Sequence, residues 1–233
     1  MSDVLILNPV STDLWDELVE DALRKVADPR TEVKVKHLER GPKSIECYYD
    51  DVMAAPYVVE EVVRAEREGV DGVIINCFDD PGLRASRERV SIPVLGIGET
   101  SMIAALHLGH KFAVISTGRN ARPVCELKAL ELGIIDRLAY ASGIPIGVLD
   151  LRDREEEVKK LLLRESGVAI DKFGAEVIVL GCGGFLGLAD QLSEELGVPV
   201  VDPTLITFKL TEAFLALGLR HSKVSLYGFP QNR

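Results

Sequence analysis

Short apolar runs alternate along this chain with segments whose apolar residues recur every three or four positions, and the alternation predicts strands interleaved with helices. Residues 3–9, "DVLILNP", read as a buried strand; "DLWDELVEDALRKVA" follows as a helix in which Leu14, Leu18, Ala22 and Val26 recur at i, i+4. "EVKVKHL" alternates like a strand, "YVVEEVVRAEREG" reads as a helix closed by Gly69, and "VDGVIINC" is a strand with too little polar content to face water. Then come the short strand "SIPVLGIG", the helix "TSMIAALHLGH", the strand "KFAVISTG" and a helix from about Ala121 to Leu132. The remainder reads as an extended "IPIGVLDL", a charged helix within "DREEEVKKLLLRESGVAIDKFG", the strand "EVIVLGC", a helix in "LADQLSEELG", the strand "VPVVDP" and a final helix "LITFKLTEAFLALG". Such interleaving implies an α/β fold of parallel sheets flanked by helices, with no Pro- or Ser-rich linker between domains.

The pattern occurs twice. "GVDGVIINCFDDPGL", "SIPVLGIG" and a helix ending in "LHLG" recur as "GAEVIVLGCGGFLGL", "GVPVVDP" and a helix ending in "LALG". Cys77 and Cys182 are 105 residues apart, Pro93 and Pro199 are 106 apart, and the opening strands at Val4 and Phe112 are 108 apart. Three segments in one order at nearly one offset argue for two similar α/β halves, each with a cysteine at the end of the same strand.

Composition narrows the function classes. At 233 residues and 47% hydrophobic content the chain is long enough to bury a sizeable core. No apolar run approaches the roughly 20 residues that cross a bilayer, and "MSDVLILNPVST" lacks the basic flank and cleavage site of a signal peptide, so a cytoplasmic, membrane-free protein is expected. A formal net charge of -10, with only short basic clusters such as "HKF" and "RHSK", argues against a nucleic-acid surface. The four cysteines form no C-x-x-C, so free thiols are expected rather than a zinc site or a disulfide framework.

Among those thiols, Cys47 and Cys125 read as small apolar side chains. Cys77 and Cys182 differ, because ligand groups in parallel α/β sheets gather beyond the carboxyl ends of the strands, where the repeat puts both. After Cys77, "FDDPGL" offers an aspartate as N-cap and Pro81 as first helical residue; after Cys182, "GGFLG" leaves backbone amides able to approach a ligand or a thiolate. Helix N-termini and amides favour a thiolate over a thiol. Two halves facing across a cleft bring one thiol to each side of a bound molecule. That arrangement suits inversion of a stereocentre beside a carbonyl, with a base on one face and an acid on the other. Near-attack distances of about 3 to 3.5 Å on each side place the sulfurs roughly 7 Å apart, beyond disulfide range. The enolate formed needs preorganised donors, for which the amides after Cys77 and Cys182 and the hydroxyls of Ser116 and Thr117 are candidates.

At these residues the chain resembles the aspartate/glutamate/hydantoin racemase superfamily, and most closely its hydantoin racemase branch, which includes allantoin racemases. The matches are "NCFDDPGL" around Cys77, "VLGIGE" at Val94 to Glu99, "FAVIST" before Gly118 and "VLGCGGF" around Cys182. The resemblance implies a cofactor-independent racemase or epimerase with two pseudosymmetric domains, the active site in the cleft between them, and catalytic cysteines at Cys77 and Cys182. It implies that the C-terminal helix returns to the first half, giving domains of residues 1–98 plus 205–233 and of residues 99–204, and that homo-oligomers form. A small-molecule substrate is the partner it implies, with no metal. Asn8, Pro9, Ser11, Thr12, Phe78, Asp79, Gly183 and Gly184 match its substrate-binding segments. Where the branch commonly reads "NPNTS", this chain has Val10 in place of the second asparagine. Asp79 replaces a usual small residue, and Gly183, Gly184 and Phe185 stand where alanine, glycine and methionine are more familiar.

Other readings share the fold. Decarboxylases of the superfamily keep one catalytic cysteine, whereas maleate isomerase has cysteines on both sides. Amino-acid racemases typically read "GCTE" where this chain has "GCGG", and they must clamp a free carboxylate and ammonium; no arginine is nearer these motifs than Arg84. A cyclic ureide, a 5-substituted hydantoin or allantoin, fits better, because its ring carbonyl gives a more accessible enolate. A two-lobed binding protein whose cysteines only line the cleft is the non-enzymatic reading. His107 and His110, three apart on a predicted helix, read as a solvated face rather than metal ligands. The run "DLRDREEEVKKLLLRE" reads as an exposed helix surface, and "GIGE" lacks the third glycine and the acidic partner of a dinucleotide fingerprint, so NAD is not implied.

Overall fold

A strand whose residues from Val4 to Leu7 are all buried opens the chain, and the elements that cover it follow in order. The computed structural model describes residues 2–230. The first four strands are β1 (Ser2–Asn8), β2 (Thr31–His37), β3 (Gly72–Ile75) and β4 (Val94–Gly96), joined through helices α1 (Asp16–Val26), α2 (Tyr48–Arg67) and α3 (Leu83–Arg89). They form one all-parallel sheet in the order β2-β1-β3-β4. The central strands are apolar on both faces, as two layers of helix require.

After α4 (Ile97–Ala105) the same plan repeats. Strands β5 (Phe112–Thr117), β6 (Leu138–Ile144), β7 (Val177–Leu180) and β8 (Val200–Val201) alternate with α5 (Ala121–Glu131), α6 (Glu155–Phe173) and α7 (Ala189–Leu196). Their sheet, again all parallel, has the order β6-β5-β7-β8, matching the first strand for strand. Helix α8 (Pro203–Ala216) closes the regular structure.

By its internal contacts the chain divides into two compact units, residues 2–97 with 207–230 and residues 98–206, so α8 starts in one and finishes in the other. Its second half is tied to the first unit. Thr211 and Leu215 pack on Gly72, the Glu212 carboxylate accepts the Asp28 amide at 2.8 Å, and the Lys209 ammonium donates to the Val26 carbonyl at 2.7 Å. Beyond the helix, His221 accepts the Val94 amide at 2.8 Å, while the buried Arg87 guanidinium donates to the Val94 carbonyl and the Tyr227 hydroxyl.

Several elements depart from the reading of the pattern. The stripe Leu14, Leu18, Ala22, Val26 is not the buried face of α1: Leu14 and Val26 are exposed, and Trp15, Val19 and Leu23, one position on, pack inward. Both stripes have the same i, i+4 period, so a 100° rotation leaves the pattern unchanged. Helix α2 starts nine residues before Tyr57, running from Tyr48 through Pro56. The segment "IPIGVLDL" is not the strand; β6 is "LAYASGI", an edge strand whose small and polar residues hide its alternation, and Val148–Asp150 is a 3₁₀ turn. Pro81 does not begin a helix either. Gly82, at φ +69°, caps α3, and Asp80 itself is left-handed at φ 56°. The two histidines lie beyond α4 as exposed residues, and no metal-holding cluster of His, Cys, Asp or Glu occurs among the described residues. No helix among them is long and apolar enough to cross a membrane.

Candidate active site

In each sheet the chain moves outward from the central strand in one direction and then returns to its other side, which opens a switch point between β1 and β3 and another between β5 and β7. Ligand sites of open parallel sheets form at such points, beyond the strands' carboxyl ends. Cys77 follows β3 by two residues and Cys182 follows β7 by two. Both are half-buried, and among the described residues no cysteine is in a disulfide. Cys125 is buried with Ala121 and Ala129 on the inner face of α5. Cys47 lies half-buried before α2, its thiol donating to the Asp50 carboxylate at 3.2 Å.

Around Cys77 the backbone leaves the sheet in two linked turns. The Asp80 amide donates to the Cys77 carbonyl at 3.0 Å, and the Leu83 amide to the Asp80 carbonyl at 3.2 Å. Phe78 and Asp80 point into the protein, while Asp79 is half-exposed. The Asp80 carboxylate sits so close to Gly96 at the end of β4 that a β-carbon there would meet Oδ1 at 2.3 Å. A glycine at that position is therefore a steric requirement of the Cys77 turn.

Across the switch point, Asn8 ends β1 and is 2% exposed. Its Nδ2 donates to Asp16 Oδ1 at 2.7 Å, and its Oδ1 accepts Nδ2 of Asn76, the residue before Cys77, at 2.8 Å. Asn8 thus uses both ends of its amide on neighbouring residues of the unit. Pro9 is buried; Ser11 donates its hydroxyl to the Gly41 carbonyl at 2.9 Å, and Thr12 accepts the Leu14 amide at 3.4 Å. Both lie half-exposed on the loop that leaves β1.

The second unit solves the same problem with different groups. Cys182 enters a 3₁₀ turn, Gly183–Phe185, whose Gly184 amide donates to Cys182 Sγ at 3.3 Å. A donor aimed at the sulfur stabilises negative charge on it. Fully buried Phe185 anchors the turn, a burial worth about 2 to 3 kcal/mol. Downstream, the Gly187 amide donates to Asp202 Oδ2 at 3.1 Å, while Asp202 Oδ1 accepts the Thr204 and Leu205 amides at the start of α8. Burial pushes the Asp202 carboxyl above the usual range, against the lowering effect of those three amides.

Ser116, near the end of β5, donates its hydroxyl to the Gly181 carbonyl at 2.5 Å. Its only proton is thereby used in bracing the residue before Cys182, the role that Asn8 fills before Cys77. Thr117 lies half-exposed beside it at the strand end. Within the first unit the structure gathers Cys77, Asn8, Pro9, Phe78 and Asp79 at one strand-end cluster, and within the second Cys182, Gly183, Gly184, Ser116 and Thr117. Sequence reasoning missed Asn76, Asp16, His37 and Asp202. Aspartate before proline at a helix start was a readable cap signal for Asp202; Asp16 and His37 meet only because β2 lies beside β1.

Comparison with known proteins agrees with this architecture. The family model described as Asp/Glu/Hydantoin racemase matches residues 4–211. A hydantoin racemase of Pseudomonas sp. (strain NS671) is 35% identical over 230 residues, covering 99% of this chain and 92% of that protein. One from Rhizobium meliloti is 36% identical over 227 residues, covering 97% and 94%. Among solved structures, allantoin racemase from Klebsiella pneumoniae superposes with a TM-score of 0.94 at 33% identity, covering 100% of this chain and 95% of that one.

Proposed function

This chain belongs to the Asp/Glu/hydantoin racemase family and is an isomerase of the racemase type; on that premise we propose that Cys77 and Cys182 invert a stereocentre beside a ring carbonyl by paired proton transfer. The substrate class is a cyclic ureide, a 5-substituted hydantoin or allantoin, in keeping with the substrates named for the relatives at 33% to 36% identity. The observation that carries the mechanism is the equivalence of the two thiols. Each stands two residues beyond the third strand in the order of its unit, at the switch point of a sheet with the same strand order.

The chemistry requires one sulfur at each face of the reacting carbon. A thiolate removes the proton, the electron pair passes to the carbonyl oxygen as an enolate, and the opposite thiol returns a proton to carbon. The first cysteine is left as thiol and the second as thiolate, which is the state needed for the reverse direction. At Cys182 the Gly184 amide supports the charged form of the sulfur. Thr117 and the amides of Gly183 and Asp79 are the groups assigned to the enolate oxygen, while Ser11 and Thr12 line the substrate. The reading includes a homo-oligomer working in the cytoplasm.

The test uses enantiopure 5-benzylhydantoin and, separately, allantoin in D2O with the full-length protein, following optical activity by circular dichroism and deuterium at the stereocentre by NMR. The parent is expected to racemise one of them with deuterium entry. Cys77→Ala and Cys182→Ala are each expected to abolish inversion while keeping the parent's far-UV spectrum. Full racemisation by either variant overturns the paired mechanism.

A further inference from the structure

One polar line crosses the first sheet and ends at the residue before Cys77. It starts at His37, the last residue of β2, whose side chain is 39% exposed and whose Nδ1 lies 2.7 Å from Asp16 Oδ2. Asp16 is the first residue of α1, and its other oxygen accepts Nδ2 of Asn8 at 2.7 Å. Asn8 pairs in register with His37 across β1 and β2, and its Oδ1 accepts Nδ2 of Asn76 at 2.8 Å. Asn8 and Asn76 are both buried, while Asp16 and His37 reach toward solvent.

The direction of every bond follows from one charge. An ionised carboxylate only accepts, so Asn8 must turn its NH2 to Asp16, and its carbonyl then faces Asn76. Asn76 is obliged to donate, and His37 must carry its proton on Nδ1. Without the carboxylate, the Asn8 amide loses the group that fixes its orientation, since its two ends are nearly the same shape. Buried networks of this kind hold one arrangement when complete and lose it when one member is changed.

We propose that Asp16, oriented by His37, is a positioning residue for Cys77, acting through the amides of Asn8 and Asn76. The inference rests on the reading of Cys77 as an acid/base residue. It accounts for a charged side chain at the start of α1 whose two oxygens are both engaged, one by His37 and the other by Asn8. Positioning errors of about 1 Å at a reacting group cost on the order of a hundredfold in rate, so the effect belongs in kcat.

Three full-length variants test it: Asp16→Asn, His37→Leu and His37→Asn, the last keeping an N–H donor close to the position of the ring Nδ1. Asp16→Asn and His37→Leu are expected to lower kcat for racemisation about tenfold or more with KM within about threefold, and His37→Asn to restore most of it. Hydrogen exchange read by mass spectrometry gives a second readout independent of turnover. The peptide spanning residues 72–80 should exchange faster in Asp16→Asn and His37→Leu, but not in His37→Asn, while the peptide spanning 177–187 stays unchanged. Parent-like exchange across 72–80 in Asp16→Asn overturns the positioning role, whatever the kinetics. If Cys77→Ala retains full racemisation, it is the assignment of Cys77 that fails, and the exchange pattern still decides whether the line holds this segment.

Discussion

Replacing Gly181 by alanine is the sharpest test of how the second unit holds its cysteine. Gly181 needs no unusual backbone angle; what it lacks is space. A β-carbon there would lie 2.5 Å from Ser116 Cβ and 2.9 Å from both Ser116 Oγ and Val114 Cγ1. Comfortable carbon contacts are about 3.5 to 4.0 Å, so the pair must separate by roughly 1 Å. Ser116 Cβ is rigidly attached to β5, and no flexible side-chain end can absorb the movement. Overpacking of this kind costs about 1 to 3 kcal/mol, and the hydroxyl bond from Ser116 to the Gly181 carbonyl is strained with it. Cys182 is the next residue, so the shift passes directly to the sulfur, and under the proposed role of Cys182 a displacement on the order of 1 Å costs about a hundredfold in rate. Urea unfolding gives the stability change and racemisation kinetics the change in kcat. Gly181→Ala combined with Ser116→Gly, which removes two of the three close contacts, should recover part of both losses. An alanine variant within about 0.5 kcal/mol of the parent and with parental kcat refutes the reasoning.

Further substitutions probe the remaining supports. Asp202→Asn keeps a cap oxygen for Thr204 and Leu205 but turns an NH2 toward the Gly187 amide, and should cost about 1 to 3 kcal/mol in urea unfolding. Because burial raises the Asp202 carboxyl in the folded state, the native protein keeps that proton to higher pH than the unfolded chain does. This part of its stability is full below the unfolded value of about 3.9 and is lost as pH rises through the folded value. The gap between parent and Asp202→Asn should therefore narrow with rising pH; a widening gap contradicts the assignment. Gly96→Ala puts a β-carbon 2.3 Å from Asp80 Oδ1 and 2.9 Å from Leu83 Cδ2, and should lower both the melting temperature and kcat by displacing the Cys77 turn. Gly143→Ala meets the Gly118 carbonyl oxygen at 1.8 Å, a backbone clash severe enough that little folded protein should accumulate in expression tests, by contrast with Gly167→Ala, which meets nothing within 4 Å.

The strands that could be read directly were those buried on both faces, since "VLIL", "GVII", "FAVI" and "VIVL" have no polar position to confuse their length. Edge strand β6 escaped because Ala, Ser and Gly carry little hydrophobic contrast. Helix α1 is legible from its period, but periodicity fixes only the spacing of a stripe, and packing decides that Trp15, Val19 and Leu23 turn inward. The cysteines were legible through the repeat: two thiols at one offset are a relation within the sequence. Asp80 could not be read in the same way. "FDDPG" resembles a cap followed by proline, yet the chain uses Asp80 in a left-handed turn nested on Gly96, a contact with a residue on another strand. Asp16 and His37 needed the strand order as well, since 21 residues separate them in sequence.

The two units show which part of the repeat is under the same physical demand and which is free to differ. In both, the residue before the cysteine is tied to the strand beside it: Asn76 to Asn8 through side-chain amides, and Gly181 to Ser116 through a hydroxyl and a backbone carbonyl. The groups that supply the tie differ, a pair of side-chain amides in one unit and a hydroxyl in the other. A proton-transfer pair must hold both reacting groups in place, but in any one direction it needs opposite protonation states of them. Equivalent bracing of the two cysteines meets the first requirement. If Cys77 and Cys182 act as the proposed pair, removing the bracing on either side should slow both directions of inversion together, and slowing of one direction alone contradicts the pairing.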